Sequence, residues 1–285
     1  MSVEIVCPRC ASPFNRQDPA EWVCTGCGFT VALMHNIPIF SGHPEEQNPQ
    51  QLIERGAEKG TEWRRRNWQF IEKTAAALPA SADVLDVGAG RGDFKPIFSA
   101  QSYLGVDIYP YPEIDLAVDL IECCPFKEGS FDLIVMANVI EHVYEYRSLI
   151  SCCSRLLKPG GRLLITVPFL LKLHQEPVDF HRYTRYTLEK AAAENALEVE
   201  TLDAYTNPLA LLDEGIGDAW QHIALTRTGF SQFFFKLKLA LIQNLANSMK
   251  KKASSAQVRS ASIETNPYIL GYLCLFRKPA GEINK

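Results

Sequence analysis

Short apolar runs recur along the middle of the chain, between residues 82 and 168. They read ADVLDV, YLGVDI, DLAVDL, FDLIVMANV and GRLLITVP, and the segments between them are long enough for helices or connecting loops. Runs that are rich in β-branched residues and lack polar alternation are typical of strands covered on both faces. Strands of this kind that alternate with helices form a parallel sheet between two helical layers. The sequence therefore predicts a doubly wound α/β fold.

A glycine-rich loop, VLDVGAGRGDF, ends the first run. Gly88, Gly90 and Gly92 form a GxGxG pattern, in which the backbone can approach a ligand closely because side chains are missing. The dinucleotide fingerprint GxGxxG has its third glycine one residue later, where this chain has Asp93. A carboxylate there would repel a pyrophosphate, and the lysine of a phosphate-binding loop is also missing. The loop predicts a nucleotide-like ligand other than a dinucleotide.

Two aspartates follow the second and third runs. Asp107 ends the run YLGVDI, about twenty residues after the loop, where an acidic residue accepts hydrogen bonds from a ribose diol. Asp119 follows the third run, where a carboxylate can meet an adenine amino group at the edge of the sheet. Together with the glycines, they indicate a ligand that contains ribose and adenine. The alternative is a set of tight-turn glycines with solvated loop aspartates.

These motifs resemble those of the class I S-adenosylmethionine-dependent methyltransferases over residues 52–277. The resemblance rests on VLDVGAGRG, GVDI, VDL, FDLIVMANVIEHV and LLKPGGRLLITVP. It implies S-adenosylmethionine as cofactor and a seven-stranded sheet with an antiparallel last strand, for which YILGYLCLF at residues 268–276 is the candidate. The cofactor-binding residues that it implies are Asp86, Gly88, Gly90, Gly92, Asp107, Ile108, Asp119, Leu120 and Asn138.

The densest group of reactive side chains lies after the fifth run, in FLLKLHQEPVDFHRYT at residues 169–184. Methyl transfer from a sulfonium needs a base only when the acceptor must lose a proton. A similar string occurs in methyltransferases that act on varied small or lipid-linked molecules. That resemblance suggests His174 or His181 as the base. It suggests a further set as acceptor-binding residues: Glu176, Asp179, Arg182 and Tyr183.

Two structural alternatives apply to these polar residues. In the loop, Asp179 and Arg182 would pair to hold the backbone, and Tyr183 with Thr184 would cap a helix that begins at Thr187. His142, in the EHV after the fourth run, is either a base or part of the helix start, and the second interpretation is favoured.

The first forty residues contain two CxxC pairs separated by thirteen residues. Cys7, Cys10, Cys24 and Cys27 supply four soft sulfur ligands, which suit a tetrahedral structural zinc. With the closing IPIF, the segment resembles small zinc-ribbon proteins that activate methyltransferases. Such a closed site predicts a structural or docking role.

The domain organisation follows from these patterns. We expect a zinc ribbon over residues 1–44, a methyltransferase domain over residues 45–285 and a helical insertion over residues 206–266. Within the insertion, Phe230, Phe234, Leu237, Leu241 and Leu245 recur at helical spacing, and Lys250 to Lys252 follow. This segment, residues 230–252, is either a lid over the acceptor pocket, which is favoured, or a helix on an anionic membrane surface.

Composition and charge leave several functions open. The net charge of −4 gives no general attraction to nucleic acid. The lack of an export signal, with nine cysteines, predicts a reducing cytoplasm. We expect O- or N-methylation of a small-molecule, glycan or lipid-linked acceptor. The alternatives are an RNA or protein methyltransferase docked through the ribbon, Arg64 to Arg66 and Lys250 to Lys252, and a non-catalytic cofactor-binding module.

Overall fold

The computed structural model describes residues 3–42, 61–206, 215–220, 222–223, 226, 229–255 and 268–280. The chain divides into two compact units, which are residues 1–203 with 271–285, and residues 204–270. The predicted division into domains at residues 44 and 45 stays a prediction. Residues 44 and 45 lie outside the described residues.

A small four-stranded antiparallel sheet begins the chain, with the strands in sequence order. Its strands are β1 (Phe14–Asn15), β2 (Glu21–Cys24), β3 (Thr30–Met34) and β4 (Ile37–Pro38). Each strand is short, and the buried residues are few, which is typical of a segment that depends on bound metal for its stability.

The main sheet has seven strands in the order β10-β11-β9-β8-β5-β6-β7. Its strands are β5 (Asp83–Val87), β6 (Ser102–Asp107), β7 (Leu116–Ala117), β8 (Phe131–Ala137), β9 (Leu157–Pro168), β10 (Glu198–Tyr205) and β11 (Gly271–Arg277). Strands β5 to β9 pair in parallel, and β11 pairs antiparallel with β9. The predicted doubly wound seven-stranded sheet with an antiparallel last strand is confirmed.

Four α-helices are described in full: α1 (Glu62–Ala76), α2 (Tyr146–Leu156), α3 (Arg185–Glu194) and α4 (Gly229–Ser255). Short 3-10 helices span Lys95–Phe98 and Ile140–His142. Thr61 caps α1, since its side chain accepts a hydrogen bond from the Arg64 amide. Helix α1 and the sheet share a buried apolar cluster that includes Ile71, Val84 and Leu133. This packing places the carboxyl ends of β5, β6 and β8 at one edge.

Some strand boundaries differ from the sequence pattern. Only Leu116–Ala117 of DLAVDL pairs with β6, which ends at Asp107, and the Val118 amide donates to the Asp107 carbonyl at the end of this ladder. Strand β9 extends back to Leu157, through the proline and glycines of LKPGG. Helix α3 begins at Arg185, two residues before the predicted start.

The small sheet is docked on the β7 edge of the main sheet. Ile39 forms a parallel bridge with Ala117, and the Phe40 amide donates to the Ala117 carbonyl at 2.6 Å. Near the other end of the segment, Ile5 forms an antiparallel bridge with Phe126. These backbone contacts cover an edge strand that would otherwise present unpaired polar groups.

Helix α4 carries large apolar side chains that are exposed. The exposed residues are Phe233, Phe234, Phe235, Leu237, Leu241, Ile242 and Leu245. The Phe230 and Lys250 to Lys252 side chains lie outside the described part. Among the described residues, no helix is both long and apolar enough to span a membrane.

Candidate functional site

A cavity of about 460 Å³ opens at the carboxyl ends of the central parallel strands. This volume lies in the range of small-molecule sites. It is lined by several of the predicted cofactor residues, which are Gly88, Gly90, Asp107, Ile108, Asp119, Leu120 and Asn138. Doubly wound sheets bind their ligands at this edge. The cavity therefore lies where the sequence motifs predict the cofactor.

The glycine loop needs glycine at two positions for different reasons. Gly88 has φ +72°, and an added Cβ would lie 2.6 Å from Cγ2 of Val139, so a side chain would clash with the end of β8. Gly90 has φ +53°, and an added Cβ would meet no atom within 4 Å, so its missing side chain leaves space on the cavity side. Both positions favour glycine, and the space at Gly90 fits a ligand that approaches the backbone.

Asp107 organises the loop that it faces. One carboxylate oxygen accepts a hydrogen bond from the Gly90 amide at 2.9 Å, and the other accepts from the Tyr109 amide at 3.1 Å. Burial raises the pKa of this carboxyl, and the backbone hydrogen bonds lower it. Each oxygen has a second lone pair, so the carboxylate can still accept from a ribose hydroxyl.

Asp86 lies beneath the loop and does not line the cavity in the described part of the chain. It is buried, and the Tyr103 hydroxyl donates to its carboxylate at 2.7 Å. Burial raises the pKa of Asp86 to about 7, while this hydrogen bond lowers it and the nearby Asp107 and Asp93 raise it further. The aspartate therefore supports the loop from the core side. No pattern in the sequence indicates that Tyr103 is its partner.

Asn138 occupies the end of β8 in a left-handed conformation, with φ +57°. Its side-chain oxygen accepts a hydrogen bond from the indole nitrogen of Trp63 at 2.8 Å. Helix α1 thus fixes a cavity residue across the sheet edge. The Ser41 hydroxyl donates to the Ile108 carbonyl at 2.8 Å, so the end of the small sheet also contacts a cavity residue. No local pattern in the sequence indicates either contact.

Arg64 and Asp93 form an ion pair next to the glycine loop. Asp93 occupies the position of the third glycine in the dinucleotide fingerprint, where its carboxylate would repel a pyrophosphate. Arg64 belongs to the basic run in α1 that could contact phosphates. Its pairing with Asp93 stabilises the junction of α1 with the loop and reduces the charge that this run offers to a macromolecule.

The comparisons with known proteins agree with this geometry. A sequence model of the methyltransferase domain family matches residues 60–205, which is just over half of the chain of 285 residues. The chain belongs to the class I S-adenosylmethionine-dependent methyltransferases. The resemblance drawn from the motifs is thereby confirmed.

Two curated relatives of the methyltransferase match part of its length. A probable S-adenosylmethionine-dependent methyltransferase of Mycolicibacterium smegmatis is 29% identical over 117 residues, which are 37% of this chain and 45% of the relative. A ubiquinone biosynthesis O-methyltransferase of Xanthomonas axonopodis is 31% identical over 127 residues, which are 39% of this chain and 51% of the relative. The chain spans about half the length of these relatives.

Among solved structures, the cyclase SpnF superposes with a TM-score of 0.50 at 15% identity, over 86% of this chain and 88% of the cyclase. That likeness shows the fold alone. Because that protein is a cyclase, this fold by itself does not determine the reaction of the chain.

The loop at residues 169–184 of the methyltransferase is held by an internal ion pair. Arg182 donates to both carboxylate oxygens of Asp179, at 2.6 and 2.8 Å, and this pairing holds the pKa of Asp179 well below its usual range. The Tyr183 hydroxyl, which is buried, donates to the Ile140 carbonyl at 2.7 Å. Thr184 caps α3. These contacts match the structural alternative, and the predicted acceptor contacts of these residues stay predictions.

The remaining predicted residues of this loop are more accessible. Glu176 is exposed, and His181 lies 3.1 Å from the Tyr144 carbonyl through its Nε2 atom. In the described part of the chain, His142, Gln175 and Val178 line the cavity on this side, while His174 and His181 do not. The predicted roles of His174 and His181 as bases stay predictions.

Glu141, which is buried, and His142, which is half-buried, follow the end of β8. Both belong to the 3-10 helix Ile140–His142. Burial raises the pKa of Glu141 to about 8, and Arg182 lowers it to a smaller extent. Burial lowers the pKa of His142, so the imidazole is favoured in its neutral form. The two interpretations of His142, as a base and as part of the helix start, stay predictions.

The structure brings the four cysteines of the small sheet together. Their sulfurs lie within 4.8 Å of one another, with Cys7 and Cys27 at 3.6 Å and Cys10 and Cys24 at 3.4 Å. Sulfurs bound about 2.3 Å from a tetrahedral zinc lie about 3.8 Å apart. The cluster is therefore compatible with the zinc ribbon predicted from the sequence.

Proposed function

We propose that the protein transfers the methyl group of S-adenosylmethionine to an oxygen or nitrogen of a small-molecule, glycan or lipid-linked acceptor. The observation that carries this proposal is the cavity between the glycine loop, Asp107 and Asp119 in a chain of this family. When bound, the cofactor supplies a methyl group on a sulfonium, which is a good leaving group.

The chain's own residues bind and orient the reactants. Gly90 leaves room for the cofactor against the loop, Asp107 accepts from its ribose hydroxyls, and Asp119 with Leu120 contacts its adenine. Ile108 and Asn138 complete the cofactor site. The mainly apolar walls, which include Val87, limit the access of water to the reacting groups.

The acceptor approaches from the side of residues 138–184. We propose His174 or His181 as the group that accepts the acceptor's proton, with Glu176, Asp179, Arg182 and Tyr183 in the acceptor site. Of these, the exposed Glu176 is best placed to meet an incoming molecule. The name of the Xanthomonas relative, an O-methyltransferase of ubiquinone biosynthesis, supports oxygen as the methylated atom.

We also propose that Cys7, Cys10, Cys24 and Cys27 hold a structural zinc. Four thiolates leave no open position, so this ion would stabilise the segment and take no part in the reaction. All nine cysteines are free, which agrees with a reducing compartment such as the cytoplasm.

A peripheral membrane contact through α4 is a further part of the proposal. The helix exposes Phe233, Phe234 and Leu237, and its sequence contains five lysines and no acidic residue. Such a helix suits the surface of an anionic membrane. We expect the protein to sediment with vesicles that contain phosphatidylserine, and replacement of Phe233, Phe234, Leu237 and Leu241 by Ser to abolish this. Equal sedimentation of the two proteins would favour the lid.

The test of methyl transfer uses extracts of cells that lack the protein. Purified protein and S-adenosylmethionine with a labelled methyl group are added, and the products are separated into RNA, protein, lipid and small molecules. We expect label in the lipid or small-molecule fraction. Label in RNA or protein would support the alternative substrates, in which the ribbon and the basic run dock a macromolecule. Cofactor binding without any transfer would favour the non-catalytic module.

The cofactor site is tested by Asp107→Ala. The substitution removes the ribose acceptor and frees the Gly90 amide, so we expect cofactor binding to weaken by about 1 to 3 kcal/mol, measured by calorimetry. Asp115→Ala is the matched control, because this carboxylate also accepts from a backbone amide, that of Gly105 at 2.8 Å, and does not line the cavity. Unchanged affinity in Asp107→Ala would remove Asp107 from the cofactor site.

A further inference from the structure

Three side chains that can bind a metal meet beside the cofactor cavity, and one of them, His142, lines it. Glu141 and His142 lie at the end of β8, and His174 comes from the loop after β9. One ligand atom from each lies within 4.8 Å of the other two, and the two imidazole rings are 4.7 Å apart between centroids. Two imidazoles and one carboxylate form a recurrent ligand set for transition metals.

The Glu141 carboxyl lacks the partners that a buried carboxyl group needs. The residue is 0% exposed, and among the described residues neither carboxylate oxygen accepts a hydrogen bond from another residue. A buried polar group without a partner costs free energy, and a buried charge costs more. The positive charge of Arg182 acts on Glu141, but Arg182 itself donates to Asp179. A cation next to Glu141 would supply the missing partner.

One ring nitrogen of His142 is fixed by a hydrogen bond, and the other ring nitrogen is available to bind a metal. Its Nδ1 atom lies 2.6 Å from the Val178 carbonyl, which fits the tautomer that carries its proton on Nδ1. Its Nε2 atom is buried, has no hydrogen-bond partner, and lies 3.8 Å from a Glu141 oxygen. A histidine that donates from one nitrogen to a carbonyl and leaves the other available is the usual arrangement of a metal ligand.

His174 is oriented by a carboxylate. Its Nδ1 atom lies 3.2 Å from Asp179, and the same carboxylate oxygen accepts from the His174 amide at 3.0 Å. Asp179 is fixed in turn by Arg182. A proton on Nδ1 facing the carboxylate leaves the Nε2 lone pair for a ligand bond, as in carboxylate–histidine–metal arrangements.

We propose that Glu141, His142 and His174 bind one divalent transition-metal cation on the wall of the cofactor cavity. Nitrogen ligands favour Zn²⁺, Co²⁺, Fe²⁺ or Mn²⁺ over the oxygen-preferring Ca²⁺ and Mg²⁺. Three protein ligands leave coordination positions open, in contrast to the closed site of the four cysteines. In this arrangement His174 is a ligand, and the role of base would pass to His181 or to water.

A consequence for the acceptor rests on the proposed methyl transfer. Because His142 lines the cavity, an open position of the cation can hold an acceptor hydroxyl and lower its pKa. The hydroxyl proton passes to water, the oxygen forms a bond to the methyl carbon, and the carbon–sulfur bond breaks with its electron pair on sulfur. The site therefore favours acceptors with a hydroxyl group, above all one with a second oxygen beside it.

The test measures metal binding alone. Full-length protein, with zinc first loaded into the four-cysteine site, is titrated with Co²⁺ by calorimetry and visible absorption. We expect one Co²⁺ per chain, with the weak bands of nitrogen and oxygen ligands and without thiolate charge-transfer bands. His174→Ala and Glu141→Gln should each weaken binding by more than about 100-fold, the upper range for the loss of an outer-sphere partner.

The matched control is His181→Ala, which removes a histidine of the same loop outside the cluster and should bind Co²⁺ normally. The His174 side chain is 29% exposed, so His174→Ala is expected to fold even if Glu141→Gln does not. Absence of a Co²⁺ site in the unaltered protein, or affinity unchanged in His174→Ala, would overturn the proposal.

Different results would refute the proposed metal site and the proposed reaction. Co²⁺ binding without methyl transfer to any fraction would leave the site standing and refute the function. Methyl transfer by a protein that binds no Co²⁺ would leave the function standing and refute the site. Transfer that is lost in His174→Ala and stimulated by added Co²⁺ in the unaltered protein would support both.

Discussion

Replacement of Cys24 and Cys27 by Ser is expected to abolish the proposed zinc site and unfold most of residues 3–42. The sulfur of Cys24 contacts that of Cys10, and the sulfur of Cys27 contacts that of Cys7. The double substitution therefore removes one cysteine from each pair and leaves only two thiolates. Structural zinc contributes on the order of 10 kcal/mol or more to small domains of this kind. Elemental analysis should find one zinc ion fewer per chain, and a protease should cleave residues 3–42.

This substitution should also weaken cofactor binding. Phe40 and Ser41 bond to Ala117 and Ile108, next to the cavity, so loss of the small sheet exposes the β7 edge. The main sheet should stay folded, because its core lies around β5, β8 and β9. Cys123→Ala with Cys124→Ala is the matched control and should keep its zinc. Zinc content unchanged in the Cys24 and Cys27 variant would refute the ribbon.

Asp86→Asn is expected to stabilise the protein at pH 8 and to have little effect near pH 4. Burial raises the pKa of Asp86 from 3.8 to about 7. Between these values the folded protein keeps a proton that the unfolded chain loses, so stability falls as the pH rises through this window. Three pKa units correspond to at most about 4 kcal/mol. Asparagine carries no charge and can still accept from Tyr103.

The measurement is urea unfolding of both proteins at pH 4.5, 6 and 8. The difference between them isolates Asp86, because Glu141, whose pKa burial raises to about 8, contributes to both. The gain from Asp86→Asn should grow with pH and level off above about pH 7. A gain that does not depend on pH would show that the folded and unfolded proteins hold the Asp86 proton equally.

Much of the fold could be predicted because its signals are local. Buried strands need continuous apolar runs, the turn after β5 needs residues without side chains, and paired CxxC motifs bring thiolates together over a few residues. These patterns predicted the doubly wound sheet and the cysteine cluster, while the antiparallel last strand was implied by the resemblance to the family. Strand ends were less accurate, since the hydrogen bond from Val118 to Asp107 depends on a partner strand.

The candidate site was predicted only where a motif lies in one segment. Asp107 and Asp119 line the cavity as expected, but the bonds from Trp63 to Asn138 and from Ser41 to Ile108 join segments far apart in the chain. No repeating pattern of residues in the sequence indicates such contacts, because they depend on how the helices and the small sheet pack on the main sheet.

The sequence by itself determined the sheet, the family, the cofactor-binding motifs and the four-cysteine cluster, because each of these depends on residues that are close in the chain. Only the tertiary structure decided what the loop after β9 does. Its Asp179–Arg182 pair holds His174 beside Glu141 and His142, which lie more than thirty residues earlier. The physical reason is burial: the closing loop removes water from Glu141 and His142, and this desolvation makes the three side chains a candidate metal site.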